Sequence, residues 1–284
     1  ADPSWRPLIE LARDRSDRIV MRWVPFRNEP PNAAAELWKT DVRFENGSRF
    51  VTTTIRAGKR VLTSRTRQDP DVNTVWTLEH FIKDVDDFRA WLDLPEQPFG
   101  GEPDPSGVLK TEEKLGDTGI VMIDTGDPLC SVAPLFDMGE FTVVALTEPE
   151  LFHRALERAA RHLHRRTEAI AKALPGRLWR IYGPEYASPP YLPPDLFRDY
   201  VVPYVTPMVK AIQGNGGFAR IHSHGRLRDV LEHIVATGCS GLDPIEPPPQ
   251  GDVHLEYVRE KYGKQLVLFG NLEVSDIENL PVDQ

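Results

Sequence analysis

The stretch from Gly217 to Glu273 constrains the fold of this chain more than any other. Three short apolar runs occur in it, Phe218–His222, Gly241–Glu246 and Gln265–Asn271, and each is too short for a helix. Each run is followed by turn residues and then by a helical pattern. This alternation of strands and helices predicts a parallel α/β sheet or barrel.

Ionisable or amide side chains close all three runs. They are His222 and His224, then Asp243 and Glu246, then Asn271 and Glu273. In parallel α/β folds the carboxyl ends of the strands carry the active site. The sequence therefore predicts that these side chains share one pocket.

Three motifs in this stretch are HSHG, GLDPIEPPPQGD and LVLFGNLE. In order and spacing they resemble the C-terminal half of the uroporphyrinogen decarboxylase superfamily. That superfamily includes the decarboxylase of haem synthesis and the zinc methyltransferases that pass methyl groups between corrinoid proteins and thiols. The segment LPPDLFRDYVVPY is similar to the same superfamily, so the resemblance extends from about Asp124 onward.

The N-terminal part of the chain predicts an insertion on the barrel. Residues 49–66 alternate β-branched and polar residues around Ala57-Gly58, which predicts a β-hairpin. The resemblance implies a hairpin near this point as well. We interpret it as an insertion on a single domain that spans residues 1–284.

Six strands can be predicted along the chain. They start near Ile19, Gly119, Leu178, Phe218, Gly241 and Gln265. A closed barrel needs eight. We therefore predict an α/β chain of the (β/α)8 TIM-barrel type with an N-terminal β-hairpin insertion, and we expect its C-terminal strand and helix to be missing from this sequence.

Three local patterns give further predictions. The segment from Ile19 to Phe26 predicts a first strand, and TEPE at Thr147–Glu150 fits a capping box at the start of a long helix. Pro203, within the helical pattern that begins near Pro194, predicts a kink.

Composition excludes some classes of function. The net charge of −9 argues against a nucleic-acid surface, which needs a clustered basic face. No window approaches a membrane span. The two cysteines, Cys130 and Cys239, indicate a reducing compartment, so we expect a cytoplasmic protein.

His222 and His224 are the candidate metal ligands. Residues two apart on a strand point to the same side, so both imidazoles can converge on one ion. The alternative is a pair of hydrogen-bonded histidines that line a polar pocket. In the zinc methyltransferases the pattern is His-x-Cys with a further Cys near the C-terminus. His222 matches the first ligand, and His224 stands where the Cys would be.

The resemblance therefore implies a divalent metal, preferably zinc, with imidazole in place of thiolate. A thiolate ligand would leave the metal less positively charged than an imidazole does. Cys239 precedes a strand, at the wrong end of the barrel to replace the missing thiolate. We interpret it as a small buried residue.

Glu185 and Glu246 each follow a strand and are candidate catalytic residues. Either could be an oxygen ligand or a general base, and the alternative is a carboxylate that caps a loop. Asn271 could orient a substrate or bind the loop backbone. Tyr182 and Asp124 are further candidates for substrate contact.

Two charged residues raise separate questions. Asp243, if it points into the barrel, needs a partner such as an arginine. The porphyrinogen decarboxylases hold substrate carboxylates with arginines on a loop after the first strand, and Arg22 falls where one of them would be. The rest of that loop pattern is absent, so Arg22 is either an anion clamp or an exposed, salt-bridged residue.

The resemblance implies metal-dependent methyl transfer between a small-molecule substrate and a corrinoid held by a partner protein. One alternative is a metal-free decarboxylase of a tetrapyrrole or another carboxylate, with Arg22 as the anion clamp. A second is a non-catalytic barrel that binds a corrinoid or a tetrapyrrole. The sequence does not decide the oligomeric state.

Overall fold

The computed structural model of the chain describes residues 3–270, 278, 279 and 281. Its strands are β1 (Arg18–Arg22), β2 (Phe26–Arg27), β3 (Trp38–Glu45), β4 (Ser48–Ala57), β5 (Arg60–Gln68), β6 (Val75–Glu79), β7 (Glu102–Pro103), β8 (Gly119–Gly126), β9 (Leu178–Tyr182), β10 (Phe218–His222), β11 (Gly241–Asp243) and β12 (Val267–Leu268). Its α-helices are α1 (Arg6–Arg15), α2 (Val85–Leu92), α3 (Ser106–Leu115), α4 (Pro128–Val132), α5 (Met138–Thr147), α6 (Pro149–Ala173), α7 (Pro194–Tyr200), α8 (Val202–Gly214), α9 (Leu231–Ala236) and α10 (Leu255–Tyr262).

Within these described residues, six parallel strands form the central sheet in the order β1-β8-β9-β10-β11-β12. All six predicted strands are present and begin at, or within two residues of, the expected positions. The α/β class and the parallel sheet are therefore confirmed. Closure of the sheet into an eight-stranded barrel stays a prediction.

The two faces of the central sheet differ in what covers them. One face packs against helices and carries the apolar residues Val121, Ile123, Trp179, Ile181, Ala219, Ile221 and Leu242. The other face, which we call the open face, carries Asp124, Arg180, Tyr182, Arg220, His222 and Asp243 at the carboxyl ends of its strands. Successive side chains of a strand point to opposite faces of the sheet. Every second residue of these strands therefore faces the helices, and most of those residues are apolar.

The open face is apolar toward the amino ends of the same strands. Ile19, Met21, Ile120, Phe218 and Val267 lie there and are exposed to solvent. The polar groups are thus concentrated at one end of the sheet, where loops after the strands can reach them.

The predicted hairpin is part of a larger element. β4 and β5 form it with a turn at Gly58, whose φ is +60°, but β3 and β6 extend it to a four-stranded antiparallel sheet, β3-β4-β5-β6. The sheet is attached to the body through Ile55 and Leu62, which join the same buried cluster as Phe88 of α2. The prediction of an isolated hairpin was therefore incomplete.

The first strand is shorter than predicted. β1 ends at Arg22, and the chain resumes extended pairing only at Phe26, where β2 pairs with β7. Pro25 lies between the two strands and has no backbone N–H to continue the ladder with β8. β7 lies in the segment rich in Gly and Pro between residues 97 and 108.

Two helix predictions were wrong in detail. Thr147 is the last residue of α5, and its hydroxyl donates to the Val143 carbonyl, so it does not cap α6. α6 begins at Pro149. Proline suits the first position of a helix because the N–H that it lacks would have no partner within the helix. The kink expected at Pro203 is a break, because α7 ends at Tyr200 and α8 begins at Val202 with Pro203 in its first turn.

Among the described helices, none combines the length and the apolar composition that crossing a bilayer requires.

Candidate functional site

Strand register aligns the polar residues of the open face in two rows. Asp124 of β8 lies beside Arg180 of β9, which lies beside Arg220 of β10. Two residues further along, Tyr182 lies beside His222, and His222 beside Asp243 of β11. Because neighbouring strands are about 4.8 Å apart, side chains within a row are in contact distance of one another.

The first row holds a tightly bound ion pair. Arg180 donates from Nε to Asp124 Oδ1 at 2.6 Å and from Nη2 to Oδ2 at 3.1 Å. This two-point contact fixes both side chains, since a guanidinium matches a carboxylate in geometry. Asp124 contacts Arg180 through both of its oxygens, and the predicted contact of Asp124 with substrate stays a prediction.

Arg220 bridges the two rows. Its Nε lies 2.8 Å from Asp243 Oδ1, although these two atoms lack the alignment of a hydrogen bond, and its guanidinium stacks over the Phe269 ring at 4.8 Å. Burial lowers the pKa of Arg220, and the neighbouring Asp243 opposes that effect. The arginine partner expected for Asp243 is therefore Arg220.

Gly241 makes room for this arrangement. A Cβ at Gly241 would meet the Val267 carbonyl and the Phe269 ring at 2.8 and 3.0 Å. A larger residue there would push Phe269 away from Arg220, and the guanidinium would lose its stacking partner.

Each of the two histidines is held by its own carboxylate. His222 Nδ1 lies 3.0 Å from Asp243 Oδ2, and His224 Nδ1 lies 2.6 Å from Glu246 Oε1. Glu246 also accepts from the Gly225 amide at 2.7 Å through Oε2. An ionised carboxylate only accepts, so each Nδ1 is placed to donate, and in a neutral imidazole with the proton on Nδ1 the lone pair lies on Nε2.

The two imidazoles are close together. Their ring centroids are 4.7 Å apart and the rings are nearly perpendicular, at 87°. His222 is largely buried, whereas the side chain of His224 is 52% exposed. The pair therefore offers two neighbouring imidazoles, one deep and one accessible from solvent.

The residues fit part of a metal site. Histidine ligands usually have the second ring nitrogen on a carboxylate, as both have here. In the part of the chain that the structure describes, however, no group of three His, Cys, Asp or Glu side chains is arranged to hold an ion. Glu246, predicted as a ligand or base, contacts His224 and the Gly225 amide, and its catalytic role stays a prediction.

A second pair of carboxyl groups lies beside Gly183, after β9. Glu185 Oε2 accepts from the Gly183 amide at 2.9 Å, and Asp127 Oδ1 accepts from the Cys130 amide at 2.7 Å as the N-cap of α4. A Cβ at Gly183 would collide with Asp127, and its φ of +119° also favours glycine. The glycine thus allows the two carboxyl groups to approach.

Burial dominates the chemistry of Asp127. It is fully buried, and its Oδ2 has no hydrogen-bond partner among the described residues. Burial, reinforced by the nearby Glu185 charge, raises the pKa of Asp127 well above its ordinary value of 3.8. Sequence reasoning did not identify Asp127, although Asp-Pro directly after a predicted strand is an N-cap signal.

Neighbouring hydroxyl and thiol groups are neutral. Burial raises the pKa of Tyr182 to about 12 and that of Cys130 to about 12, and nearby carboxylates add to both effects. Tyr182 can therefore donate a hydrogen bond to a bound molecule, whereas Cys130 is no thiolate nucleophile at neutral pH.

A pocket of about 480 Å³ opens next to these groups. Its walls include Glu185, Tyr186, His224, Arg226 and Gln250. It lies beyond the carboxyl ends of β9 and β10, where substrates of parallel α/β enzymes bind. Glu185 and His224 both line this pocket.

A larger pocket, of about 580 Å³, lies between the β4–β5 turn and α2. Its Arg60 is already paired with Asp84, Asp86 and Asp87. It holds none of the predicted site residues. The smaller pocket is therefore the candidate site, because it is lined by Glu185 and His224 although it has the lower volume.

One predicted residue, Arg22, lies away from the site. Arg22 lies beside Ile123 on the helix-packed face, and its Nε donates to Thr111 of α3 at 2.9 Å. Its side chain thus points away from the open face, which removes the geometric basis for an anion clamp there. Asn271 lies outside the described residues. Cys239 is buried, as predicted, with its pKa raised to about 11 mainly by burial.

Sequence reasoning missed Arg180 and Arg220. Each sits between apolar residues in a five-residue strand, LWRIY or FARIH, two positions before Tyr182 or His222. A period of two along a strand places such residues on the same face, so this signal was present in the sequence.

Comparisons with known proteins follow this geometry. Residues 110–277, more than half of the chain, match the sequence profile of the family described as Uroporphyrinogen decarboxylase (URO-D). A solved structure, a methyltransferase from Methanosarcina mazei, is similar with a TM-score of 0.51 and 17% sequence identity. The similarity covers 70% of this chain and 57% of that chain, and at this identity it shows the fold. No curated protein is significantly similar in sequence.

Proposed function

The chain belongs to the uroporphyrinogen decarboxylase family, and from this premise we propose that it is a methyl-transferring enzyme with a divalent metal on His222 and His224. The observation that carries the proposal is that each histidine has its own carboxylate, Asp243 or Glu246, on Nδ1. Such carboxylates fix the ring and raise the basicity of the other nitrogen. Zinc is the preferred ion because it accepts nitrogen ligands readily.

The spacing of the rings supports a shared ion. Two imidazoles on one zinc, with Zn–N bonds of about 2.0–2.1 Å, have centroids about 5 Å apart. The centroids of His222 and His224 are 4.7 Å apart. Zinc takes four ligands, so water, substrate or residues outside the described ranges would complete the site.

Bound there, the metal would supply a Lewis acid that polarises the acceptor or leaving atom of the substrate. His222 and His224 would hold the metal next to the pocket, where a bound substrate can reach it. Glu185 faces the same pocket and can accept the proton that a protic acceptor loses. Tyr182, neutral below about pH 12, can donate a hydrogen bond to the substrate.

The methyl group passes to or from a corrinoid on a partner protein. The support is the resemblance of the HSHG, PIEPP and FGNLE motifs, together with the fold shared with a methyltransferase. The exposure of His224 also fits, because a corrinoid carried by another protein must reach the reacting atom from outside. The substrate is a small molecule that fits a pocket of about 480 Å³.

A metal-free decarboxylase is the second candidate, favoured by Arg180 and Arg220 on the open face. Arginines in a pocket bind carboxylates. Both guanidinium groups are already paired, with Asp124 and Asp243, so a substrate carboxylate would have to displace an aspartate. This competition makes decarboxylation the weaker proposal.

Turnover separates the candidates. We would incubate zinc-loaded protein with methylcobalamin and a panel of small thiols, and follow demethylation by absorbance. In parallel we would assay release of CO2 from uroporphyrinogen and small carboxylates. The proposal expects zinc-dependent demethylation that falls about a hundredfold in the His222→Ala/His224→Ala variant.

The matched control is His233→Ala, on the outer helix α9, which should retain full activity. Release of CO2 without demethylation would replace the proposal by the decarboxylase. Binding of cobalamin without either turnover would identify a non-catalytic corrinoid-binding protein.

A further inference from the structure

β3 forms one edge of the four-stranded antiparallel sheet. β3 lies at one end of the strand order β3-β4-β5-β6, so within the described residues one side of β3 has no strand partner. All its residues are exposed, including Val42 (45%) and Phe44 (71%). Natural sheets usually protect such an edge, because its free backbone groups can pair with another chain.

The turn after β3 decides which backbone groups face outward. Asn46 and Gly47 both have positive φ, which marks a two-residue hairpin turn closed by the hydrogen-bonded pair Glu45 and Ser48. Hydrogen-bonded pairs then recur at every second residue. The backbone groups of Thr40, Val42 and Phe44 therefore point away from β4, toward the free edge.

The charges along β3 alternate in sign on one face of the sheet. They are Lys39, Asp41, Arg43 and Glu45. Arg43 contacts Asp41 of its own strand at 2.9 Å. Lys39 and Glu45 have no ion-pair partner among the described residues.

This order is complementary to itself. A two-fold axis normal to the sheet at Val42 places β3 of a second copy antiparallel to the first. Asp41 then lies opposite Arg43 of the second copy, and Lys39 lies opposite its Glu45. Val42 faces its own equivalent, and both are in the positions whose backbone groups point outward.

Neighbouring registers are repulsive. An axis at Asp41 would oppose Lys39 to Arg43 and Asp41 to its equivalent. An axis at Arg43 would oppose Asp41 to Glu45 and Arg43 to its equivalent. Because directly opposed like charges destabilise a strand pair, the register centred on Val42 is favoured over these two.

We propose that two copies of this chain associate through β3, in an antiparallel pair centred on Val42 that joins their four-stranded sheets into one. Thr40, Val42 and Phe44 exchange backbone hydrogen bonds with the second copy. Lys39–Glu45 and Asp41–Arg43 pairs lie on one face of the joined sheet. Phe44 and Thr40 meet on the other face, where Phe44 loses solvent exposure.

Sedimentation equilibrium of the full chain, from low to high micromolar concentration, tests the proposal. The wild type should show a monomer–dimer equilibrium. Lys39→Glu or Glu45→Lys alone creates two like-charge pairs and should raise the Kd at least about tenfold. Lys114→Glu, an exposed residue of α3 with the same charge change, should leave the Kd unchanged.

Mixing the two single variants is the sharper measurement. In the mixed dimer, the two substituted positions lie opposite each other and carry opposite charges, and the unsubstituted Lys39 and Glu45 form the other pair. Every opposed pair is then complementary again, so the mixture should dimerise as tightly as the wild type. Failure of the mixture to recover would contradict the register.

Val42→Pro tests the backbone contact independently. The Val42 N–H points outward, so proline removes central hydrogen bonds of the dimer and none to β4. The variant should be monomeric with an unchanged circular dichroism spectrum. A wild type that stays monomeric throughout, or a dimer that none of these changes weakens, would overturn the proposal.

Discussion

The histidines and carboxylates of the open face form a chain of paired groups. Arg220 contacts Asp243, Asp243 contacts His222, and His224 is held by Glu246. Such pairing costs less than leaving a buried charge alone. Among the described residues, Nε2 of neither imidazole has a hydrogen-bond partner, so these two atoms are the ones that the proposed metal would bind.

Glu246 is expected to control metal affinity without touching the metal. Glu246→Gln turns one of its two acceptor atoms into a donor, so either His224 or the Gly225 amide loses its partner. We predict a fall in zinc affinity of about 10–100-fold, measured by competition with a chromophoric chelator. Glu256→Gln, an exposed change on α10, serves as the control, and equal affinities in all three proteins would refute this role.

Asp127 is expected to make the protein less stable as pH rises. Its pKa is raised in the folded state, so between 3.8 and that raised value the folded protein binds more protons than the unfolded chain. The free energy of unfolding then decreases with pH across this window, by about 1.4 kcal/mol for each unit of pKa shift.

Asp127→Asn tests this dependence, because asparagine resembles the neutral acid and can still accept from the Cys130 amide. We predict a flatter pH profile and higher stability at neutral pH in urea unfolding. Asp137→Asn, at the exposed N-cap of α5, should keep the wild-type slope. If Asp127→Asn kept that slope too, Asp127 would be ionised when folded.

At this scale the sequence predicted the residues of strand ends better than those within strands. His222, His224, Glu185 and Glu246 were found because they follow apolar runs and precede turns. Arg180 and Arg220 lie inside such runs, and only strand register shows which aspartate each one meets.

At the scale of elements, the antiparallel sheet shows how a small contact attaches a large appendage. Ile55 and Leu62 are buried with Phe88, while most of β3 and β6 is exposed. β3 escaped prediction because its charged residues alternate with apolar ones that no core covers. The Asn46-Gly47 turn was its available signal.

Leu62 is expected to carry much of this attachment. Leu62→Ala removes a side chain that is 1% exposed and should lower the free energy of unfolding by about 2–5 kcal/mol, measured by urea denaturation. Val61→Ala, next to it on the opposite face and 65% exposed, should change stability by less than about 0.5 kcal/mol. Similar losses in both variants would mean that the sheet is not held through this face.

At the scale of the whole molecule, the two faces of the central sheet differ in the residues that they carry. Its helix-packed face holds the apolar core, and its open face holds the polar groups at one end and exposed apolar residues at the other. The parallel sheet was predictable because short apolar runs alternate with helical patterns. Closure of the barrel stays a prediction, since it depends on pairing between strands that are distant in sequence.

The family assignment and the open face together lead to one central claim, that His222 and His224 bind a catalytic metal. Elemental analysis of the purified full chain, beside His222→Ala/His224→Ala and the control His233→Ala, tests it most directly. The account predicts about one equivalent of zinc in the wild type and in the control, and its loss in the double variant. The same metal content in all three proteins, or none in any of them after zinc loading, would contradict it.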